Sequence, residues 1–197
     1  MNFHKASFTA AYGTSKQLPA STGPEVSFCG RSNVGKSSLL NKLMFRKDLA
    51  KVSSKPGKTA TINFYDVDGA DFVDLPGYGY AQVSKAEKSR WSELIEGYFN
   101  QTRAFALAVC LVDIRHEATK LDVQMISFLY EAGIPFMVVL TKADKLSRQQ
   151  MNKQIAAIRK QLKLPKDIEL LATSSESGYN IEELRTIITK AVDEPTQ

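Results

Sequence analysis

Residues 26–37 read V-S-F-C-G-R-S-N-V-G-K-S, and this run is the strongest indication of the fold. Its first four residues are typical of a short buried strand. The rest match the phosphate-loop pattern of two glycines, a lysine and a hydroxyl residue. Backbone N–H groups of such a loop can surround phosphate oxygens, and the following helix adds its N-terminal dipole. We therefore predict a strand, loop and helix that bind a phosphorylated ligand; a glycine turn without ligand is the alternative.

Within this loop, Lys36 is expected to reach the terminal phosphates and Ser37 to hold a magnesium ion. The predicted phosphate contacts are Gly30, Arg31, Ser32, Asn33, Val34, Gly35, Lys36 and Ser37.

A second motif indicates which base is bound. Thr141, Lys142, Ala143 and Asp144 follow the apolar run 135–140, at the strand end where open α/β sheets bind ligands. A carboxylate at Asp144 can accept from both N1–H and the 2-amine of guanine, and adenine lacks this donor pair. A site built on such hydrogen bonds can discriminate by about 10⁴-fold. Guanine is therefore predicted, with the stem of Lys142 along the base plane. The segment Thr173, Ser174 and Ser175 could offer N–H groups to guanine O6.

Two further segments complete the predicted site. Asp74, Leu75, Pro76 and Gly77 end the strand-like 71–73, where the aspartate can hold magnesium through water and the glycine N–H can touch a γ-phosphate. An ordinary turn is the alternative, because this composition is common in turns. The polar residues 53–61 are typical of a loop that orders around a third phosphate. Its predicted contacts are Gly57, Lys58, Thr59, Ala60 and Thr61.

Together these segments resemble the translation-factor-related GTPases. Residues 74–81 (D-L-P-G-Y-G-Y-A), 113–116 (D-I-R-H) and 55–59 (K-P-G-K-T) are most similar to the EngB family, also called YihA or YsxC. The resemblance spans about residues 19–184. It implies a bacterial GTPase that assists assembly of the large ribosomal subunit and is linked to septation and cell division. It also implies Thr59 as the second protein ligand of magnesium, with Thr61 as the competitor.

The residues around the phosphate loop also bear on catalysis. Tyr78 stands where Ras-type enzymes carry a water-orienting glutamine. We therefore expect unassisted hydrolysis on the order of 10⁻⁴ to 10⁻³ s⁻¹. The residues that support hydrolysis are Asn33, Lys36, Thr59 and Gly77. In related GTPases an asparagine at the place of Asn33 coordinates potassium, and the alternative is that Asn33 only turns the loop.

Composition indicates one soluble, cytoplasmic domain. The 197 residues are 43% hydrophobic, which suits one substantial core, and we expect a G domain over 19–197 after an extension at 1–18. The two cysteines are expected to be free and buried, and the two histidines lack metal-ligand spacing. No apolar run is long enough to span a membrane. A monomer is expected.

The net charge of +5 favours contact with ribosomal RNA, although it also suits a merely soluble protein. The candidate RNA contacts lie in two groups that would move with nucleotide state, and a solvated face is the alternative. These groups are Lys51, Lys55 and Lys58, and Lys85, Lys88 and Arg90.

Strand and helix patterns alternate along the chain, which predicts a three-layer α/β fold with helices on both faces of the sheet. The fold that the resemblance implies is that of a P-loop GTPase. We expect six strands, near 25–29, 61–67, 70–74, 105–112, 135–140 and 168–172. The second and third would form a hairpin that gives one antiparallel edge. Residues 1–18 are either partly disordered or form a short extra strand.

Three classes of function fit this chain. The first is a switch that cycles between GTP and GDP on the large ribosomal subunit or its precursor, in contact with rRNA and ribosomal proteins. The second is a small-molecule kinase, which shares the phosphate loop but has no need of the guanine motif. The third is an RNA- or protein-binding module that nucleotide stabilises without a hydrolysis-driven cycle.

Overall fold

The computed structural model describes residues 1–51, 60–79 and 84–194. Its described part contains a sheet of seven strands in the order β1-β3-β4-β2-β5-β6-β7. The strands are β1 (Ala6–Tyr12), β2 (Glu25–Gly30), β3 (Ile62–Val67), β4 (Ala70–Asp74), β5 (Phe105–Asp113), β6 (Phe136–Thr141) and β7 (Leu170–Ala172). The helices are α1 (Lys36–Leu43), α2 (Lys85–Phe99), α3 (Lys120–Glu131), α4 (Arg148–Gln161) and α5 (Ile181–Asp193).

Helices cover both faces of the sheet, as the alternating pattern predicts. Along β2, Val26 and Phe28 join one buried cluster with α1 and α5, whereas Cys29 joins the other with α2, α3 and α4. Successive side chains of a strand point to opposite faces, so the two clusters are the two halves of the core. The three-layer α/β prediction is confirmed.

Three of the helices begin at a capping box, in which a hydroxyl side chain and the residue three positions later exchange hydrogen bonds. The pairs are Ser84 with Glu87, Thr119 with Asp122, and Ser147 with Gln150. These caps are readable in the sequence, which predicts the three helices near 84–100, 119–132 and 147–162. The observed helices begin one residue after each predicted start.

The predicted strand count needs a correction. Residues 1–18 contain a seventh strand, β1, so the extra-strand alternative is confirmed and the expected six strands become seven. β1 pairs antiparallel with β3, so the hairpin of β3 and β4 does not form the edge of the sheet. β3 instead lies inside the sheet, antiparallel to both β1 and β4. β1 carries a weak strand signal because Ala6 is its one buried residue and Phe8 is exposed. The pairing also shifts register between Phe8 and Ala10, which interrupts the alternation.

Both cysteines are free and buried, as predicted, on the neighbouring strands β2 and β5. The sulfur atoms of Cys29 and Cys110 lie 3.4 Å apart. Among the described residues, no helix has the length and apolarity that crossing a membrane requires.

Candidate nucleotide-binding site

The phosphate loop joins the C-terminal end of β2 to the start of α1, as the sequence predicts. Asn33 and Gly35 adopt positive φ angles of 63° and 101°, which turn the loop back on itself. At Gly30 a Cβ atom would lie 3.0 Å from the carbonyl oxygen of Leu111 in β5. A side chain at this position would therefore force the two strands slightly apart, which favours glycine.

The segment after β4 lies directly against this loop. The backbone N–H of Ser32 donates to the carbonyl of Tyr78 at 2.8 Å, and that of Tyr78 donates to the carbonyl of Gly30 at 3.2 Å. A Cβ at Gly77 would lie 3.1 Å from the backbone of Ser32, so a side chain there would push the two segments apart. Asp74, Leu75, Pro76 and Gly77 are therefore brought to the phosphate loop, as predicted.

The predicted phosphate and magnesium residues make contacts within the protein. Lys36 forms an ion pair with Asp74 in which both side chains are about nine-tenths buried, at 12% and 8% exposure. The hydroxyl of Ser37 donates to the carbonyl of Lys51 at 3.1 Å. Ser32 carries a buried hydroxyl without a partner in the described part of the chain. The ammonium of Lys36 and the carboxylate of Asp74 are thus in contact, and the hydroxyl of Ser37 follows directly in the chain. These are the kinds of group that bind phosphate and a hard cation.

The guanine motif lies beside the phosphate loop. The hydroxyl of Thr141, at the end of β6, donates to the carbonyl of Val34 at 2.6 Å, and the ammonium of Lys142 donates to the carbonyl of Asn33 at 2.9 Å. Lys142 adopts a left-handed backbone conformation, with φ at 64°. A non-glycine residue in this region signals strain that the surroundings must hold. The two motifs are thus directly bonded to each other.

The carboxylate that the sequence predicts to bind guanine, Asp144, is itself positioned by the third predicted segment. The hydroxyl of Ser174 donates to Asp144 at 2.6 Å, and this hydrogen bond lowers the pKa of the carboxyl group. The backbone N–H of Ala143 donates to the carbonyl of Thr173 at 3.0 Å. Asp144 is therefore held ionised as an acceptor, with Ser175 next to it in the loop.

A cavity of about 490 Å³ lies between these loops. Gly35 of the phosphate loop lines one side, and Asp144 and Ser175 of the guanine loops line the other. This volume falls within the usual range for a small-molecule site. A larger groove of about 760 Å³ lies elsewhere, between α2 and α3, and is mostly apolar. The smaller cavity is the better candidate for the base, because Thr141, Lys142 and Asp144 line it; Lys36, Ser37 and Asp74 are not among its lining residues.

Two residues that hold the guanine motif in place belong to the segment 113–116 that carries the family resemblance, but the sequence predicts no role for them. Asp113, at the end of β5, accepts from Lys142 at 3.0 Å and from the guanidinium of Arg115 at 2.9 Å. These donors hold the pKa of Asp113 well below its usual range, although burial opposes them as the largest single effect. Their position after a central strand, at the same edge of the sheet as the motif, was the available signal.

We expect Asp113→Asn to destabilise the protein by about 1 to 2 kcal/mol at pH 7, because ionic hydrogen bonds become neutral ones. A lowered pKa contributes stability that is complete above the unfolded value of about 4 and is lost as pH falls below it. The deficit of the variant should therefore be smaller at pH 3 than at pH 7, measured by urea unfolding. An equal deficit at both values would contradict this assignment.

Tyr78 is directed into the protein. Its hydroxyl donates to Asp122 of α3 at 2.8 Å, and burial raises the pKa of the phenol well above its usual range. Asp122 also accepts from the backbone N–H of Thr119 at the start of α3. Sequence reasoning did not foresee this connection between the phosphate loop and α3, because it depends on a pairing distant in the chain.

Several predicted contacts cannot be compared with the structure. Gly57, Lys58 and Thr59 fall outside the described residues, as does Lys55. Ala60 and Thr61 are described and lead into β3, where the hydroxyl of Thr61 donates to the side-chain oxygen of Asn63 at 3.1 Å.

Comparison with known proteins agrees with this geometry. Residues 25–142 match the family model described as 50S ribosome-binding GTPase, and residues 92–194 match the model of the elongation factor Tu GTP binding domain. A probable GTP-binding protein EngB from Syntrophomonas wolfei is 48% identical over 95% of this chain and 97% of its own length. A probable EngB protein from Geobacillus thermodenitrificans is 46% identical over 93% of this chain and 94% of its own length.

A solved structure gives the same result. The crystal structure of a probable GTP-binding protein EngB matches with a TM-score of 0.73 and 27% identity, over 86% of this chain and 99% of that chain. More than two-fifths of the residues are identical to those of relatives matched over nearly their full length. Together with the fold and the motifs, this identity indicates a single class of P-loop protein. The chain therefore belongs to the EngB family of GTP-binding proteins and is a GTPase.

Proposed function

We propose that this GTPase is a nucleotide-gated switch in the assembly of the bacterial large ribosomal subunit, with a consequent link to septation and cell division. One observation carries the switch: the backbone of Tyr78 is hydrogen-bonded to the phosphate loop at Gly30 and Ser32. A ligand whose third phosphate reaches Gly77 would change these contacts. Because the hydroxyl of Tyr78 is hydrogen-bonded to Asp122, a displacement of Tyr78 would also move α3. The ribosomal target is supported by the family description, 50S ribosome-binding GTPase.

The residues fit the roles that the sequence predicts. Lys36 would exchange its ion pair with Asp74 for the terminal phosphates of GTP, and the freed carboxylate would face the magnesium ion. The hydroxyl of Ser37 would be one protein ligand of that ion, and Thr59 the second. Magnesium bound there would neutralise charge that develops on the phosphates. Asn33 would either turn the loop or coordinate potassium; equal hydrolysis rates in sodium and potassium would favour the turn.

Hydrolysis without a partner is expected to be slow, on the order of 10⁻⁴ to 10⁻³ s⁻¹. The position after Gly77 carries Tyr78, whose hydroxyl is engaged by Asp122 and is not free to orient a water molecule. Single-turnover measurements with GTP and magnesium, at matched potassium and sodium concentrations, would give the rate. A value near 1 s⁻¹ in the isolated protein would contradict this prediction.

Co-sedimentation with ribosomal particles from a bacterial extract tests the proposed function. A non-hydrolysable GTP analogue, GDP and no nucleotide would be compared at the same salt concentration, because contacts to phosphate backbones depend steeply on salt. Retention on large-subunit particles with the GTP analogue alone is the expected result. Equal retention in all three states would favour the binding module without a hydrolysis-driven cycle. Absence from particles in every state would remove the ribosomal target.

A further inference from the structure

The positive charge of this chain is concentrated in one short stretch. Residues 145–166 contain seven Lys and Arg and no Asp or Glu. The whole chain has 26 basic and 21 acidic residues. The chain outside 145–166 therefore has 19 basic and 21 acidic residues, which is a net charge of −2. The entire excess of +5 therefore comes from α4 and the residues that border it.

The packing of α4 directs this charge to solvent. Ile158 is buried, and the side chains of Gln154 and Gln161 are hydrogen-bonded to the backbone of Ile114 and Ala118 at 2.8 Å and 2.9 Å. Arg159 is also used internally, since its guanidinium donates to the carbonyls of Pro165 and Ile168. These contacts fix which face of the helix is inward.

The opposite face is exposed and basic. Within the described part of the chain, its cations form no ion pair with an acidic side chain. The exposed cations of this face and of the turn that follows are Arg148, Lys153, Lys160, Lys163 and Lys166. Arg148 and Lys160 are twelve residues apart, which corresponds to about 18 Å along the helix. A row of unpaired cations of this length is suited to an extended polyanion.

We propose that the outer face of α4 binds the phosphate backbone of RNA. The exposed positions between the cations carry the amides of Gln149 and Asn152 and the methyl group of Ala156, so hydrogen-bond donors accompany the charges. The apolar residues Met151 and Ile155 pack against the core and cannot insert into a lipid surface. The face therefore offers what a sugar–phosphate backbone recognises and lacks the apolar side that an interfacial membrane helix needs.

This surface differs from the lysine groups near the nucleotide. α4 contacts β7 and the segment before α3, and none of its described hydrogen bonds reaches the phosphate loop or Tyr78. RNA binding through α4 is therefore expected to be equal in the GDP and GTP states. It goes beyond the proposed switch, because it supplies a constant attachment to which nucleotide-dependent contacts are added.

A charge-reversal pair tests the proposal. Lys153→Glu with Lys160→Glu would be compared with Lys16→Glu and Lys190→Glu, which make the same change in net charge at exposed positions elsewhere. Binding to a fluorescently labelled RNA hairpin would be measured by anisotropy across a salt series, with GDP and with a GTP analogue. The α4 variant should lower the slope of log K against log salt by about 1.4 to 1.8, because two phosphate contacts are lost. The control should keep the wild-type slope.

Three further measurements separate the outcomes. Each variant places one glutamate in the last turn of a helix, so both should lose a similar, small amount of thermal stability. GDP affinity should be unchanged in both, which shows that the nucleotide site is intact. Equal loss of RNA binding in the two variants would overturn the proposal in favour of a general charge effect, and no loss in either would overturn it outright. Vesicles containing phosphatidylserine should not bind; α4-dependent binding to vesicles in preference to RNA would replace RNA with a membrane surface. A lack of nucleotide dependence in the co-sedimentation experiment would contradict the proposed switch but not RNA binding through α4.

Discussion

Replacing Lys36 with alanine is expected to lower the affinity for GTP by about 10² to 10³-fold and to reduce hydrolysis below detection, because charge-assisted bonds to the terminal phosphates are lost. The variant should also be less stable without nucleotide, by about 3 kcal/mol. Lys36 is the ion-pair partner of Asp74, and removing one member leaves the other as a buried, uncompensated charge. Fluorescent nucleotide titration and urea unfolding measure the two effects.

The two effects of this substitution can be separated. Adding Asp74→Asn to Lys36→Ala should restore most of the lost stability, because no uncompensated carboxylate remains, while the affinity for GTP stays low. Lys16→Ala removes an exposed lysine and serves as the control for the loss of one positive charge. A single variant with normal GTP affinity would exclude Lys36 as a phosphate ligand. A double variant as unstable as the single one would show that the ion pair is not the cause.

Asp144→Asn is expected to lower the affinity for GTP by about 10³-fold and to raise the affinity for xanthosine triphosphate. The carboxylate would accept from two donors of guanine, whereas the amide can donate to the 2-oxo group of xanthine. Ser174 can still donate to the side-chain oxygen, so the loop should keep its arrangement. Competition of each triphosphate against a fluorescent nucleotide gives both affinities.

A matched substitution identifies the effect of charge alone. Asp167→Asn removes the same charge at an exposed position outside the predicted site and should leave both affinities unchanged. If Asp144→Asn weakened GTP without any gain for xanthosine triphosphate, the carboxylate would act on the loop and not on the base.

The sequence predicts the interior of this fold well and its margin poorly. β5 and β6 are buried along almost their whole length, so their apolar runs are continuous and easy to recognise. β2 is also fully buried but includes Glu25 and Ser27, and it is recognised by the phosphate loop that follows it. β1 is different, because most of its residues face solvent and its pairing with β3 is irregular. Its partner is also distant in sequence, and a single-chain pattern does not contain that information.

The candidate site also has features that the sequence predicts and features that it does not. Phosphate and guanine motifs are local, because each consists of consecutive residues at the end of a strand, and the structure brings them together as expected. The bonds that join them are not local: Lys142 reaches Asn33 and Asp113, and Tyr78 reaches Asp122. Their geometry depends on the order of strands in the sheet, which the sequence alone does not specify.

The pairing of β1 has a consequence for the order in which the sheet forms during synthesis. Ala6 is paired with Val67, so β1 is made well before the strand that receives it. With one buried residue, β1 gains little apolar contact on its own. Bringing β1 to β3 closes a long segment of chain, and this entropic cost arises before the pairing contributes any stability. β3 and β4 are close in the chain and are expected to form their hairpin first. The earliest strand to be synthesised is therefore expected to be the latest of this group to join, docking onto a hairpin that is already in place.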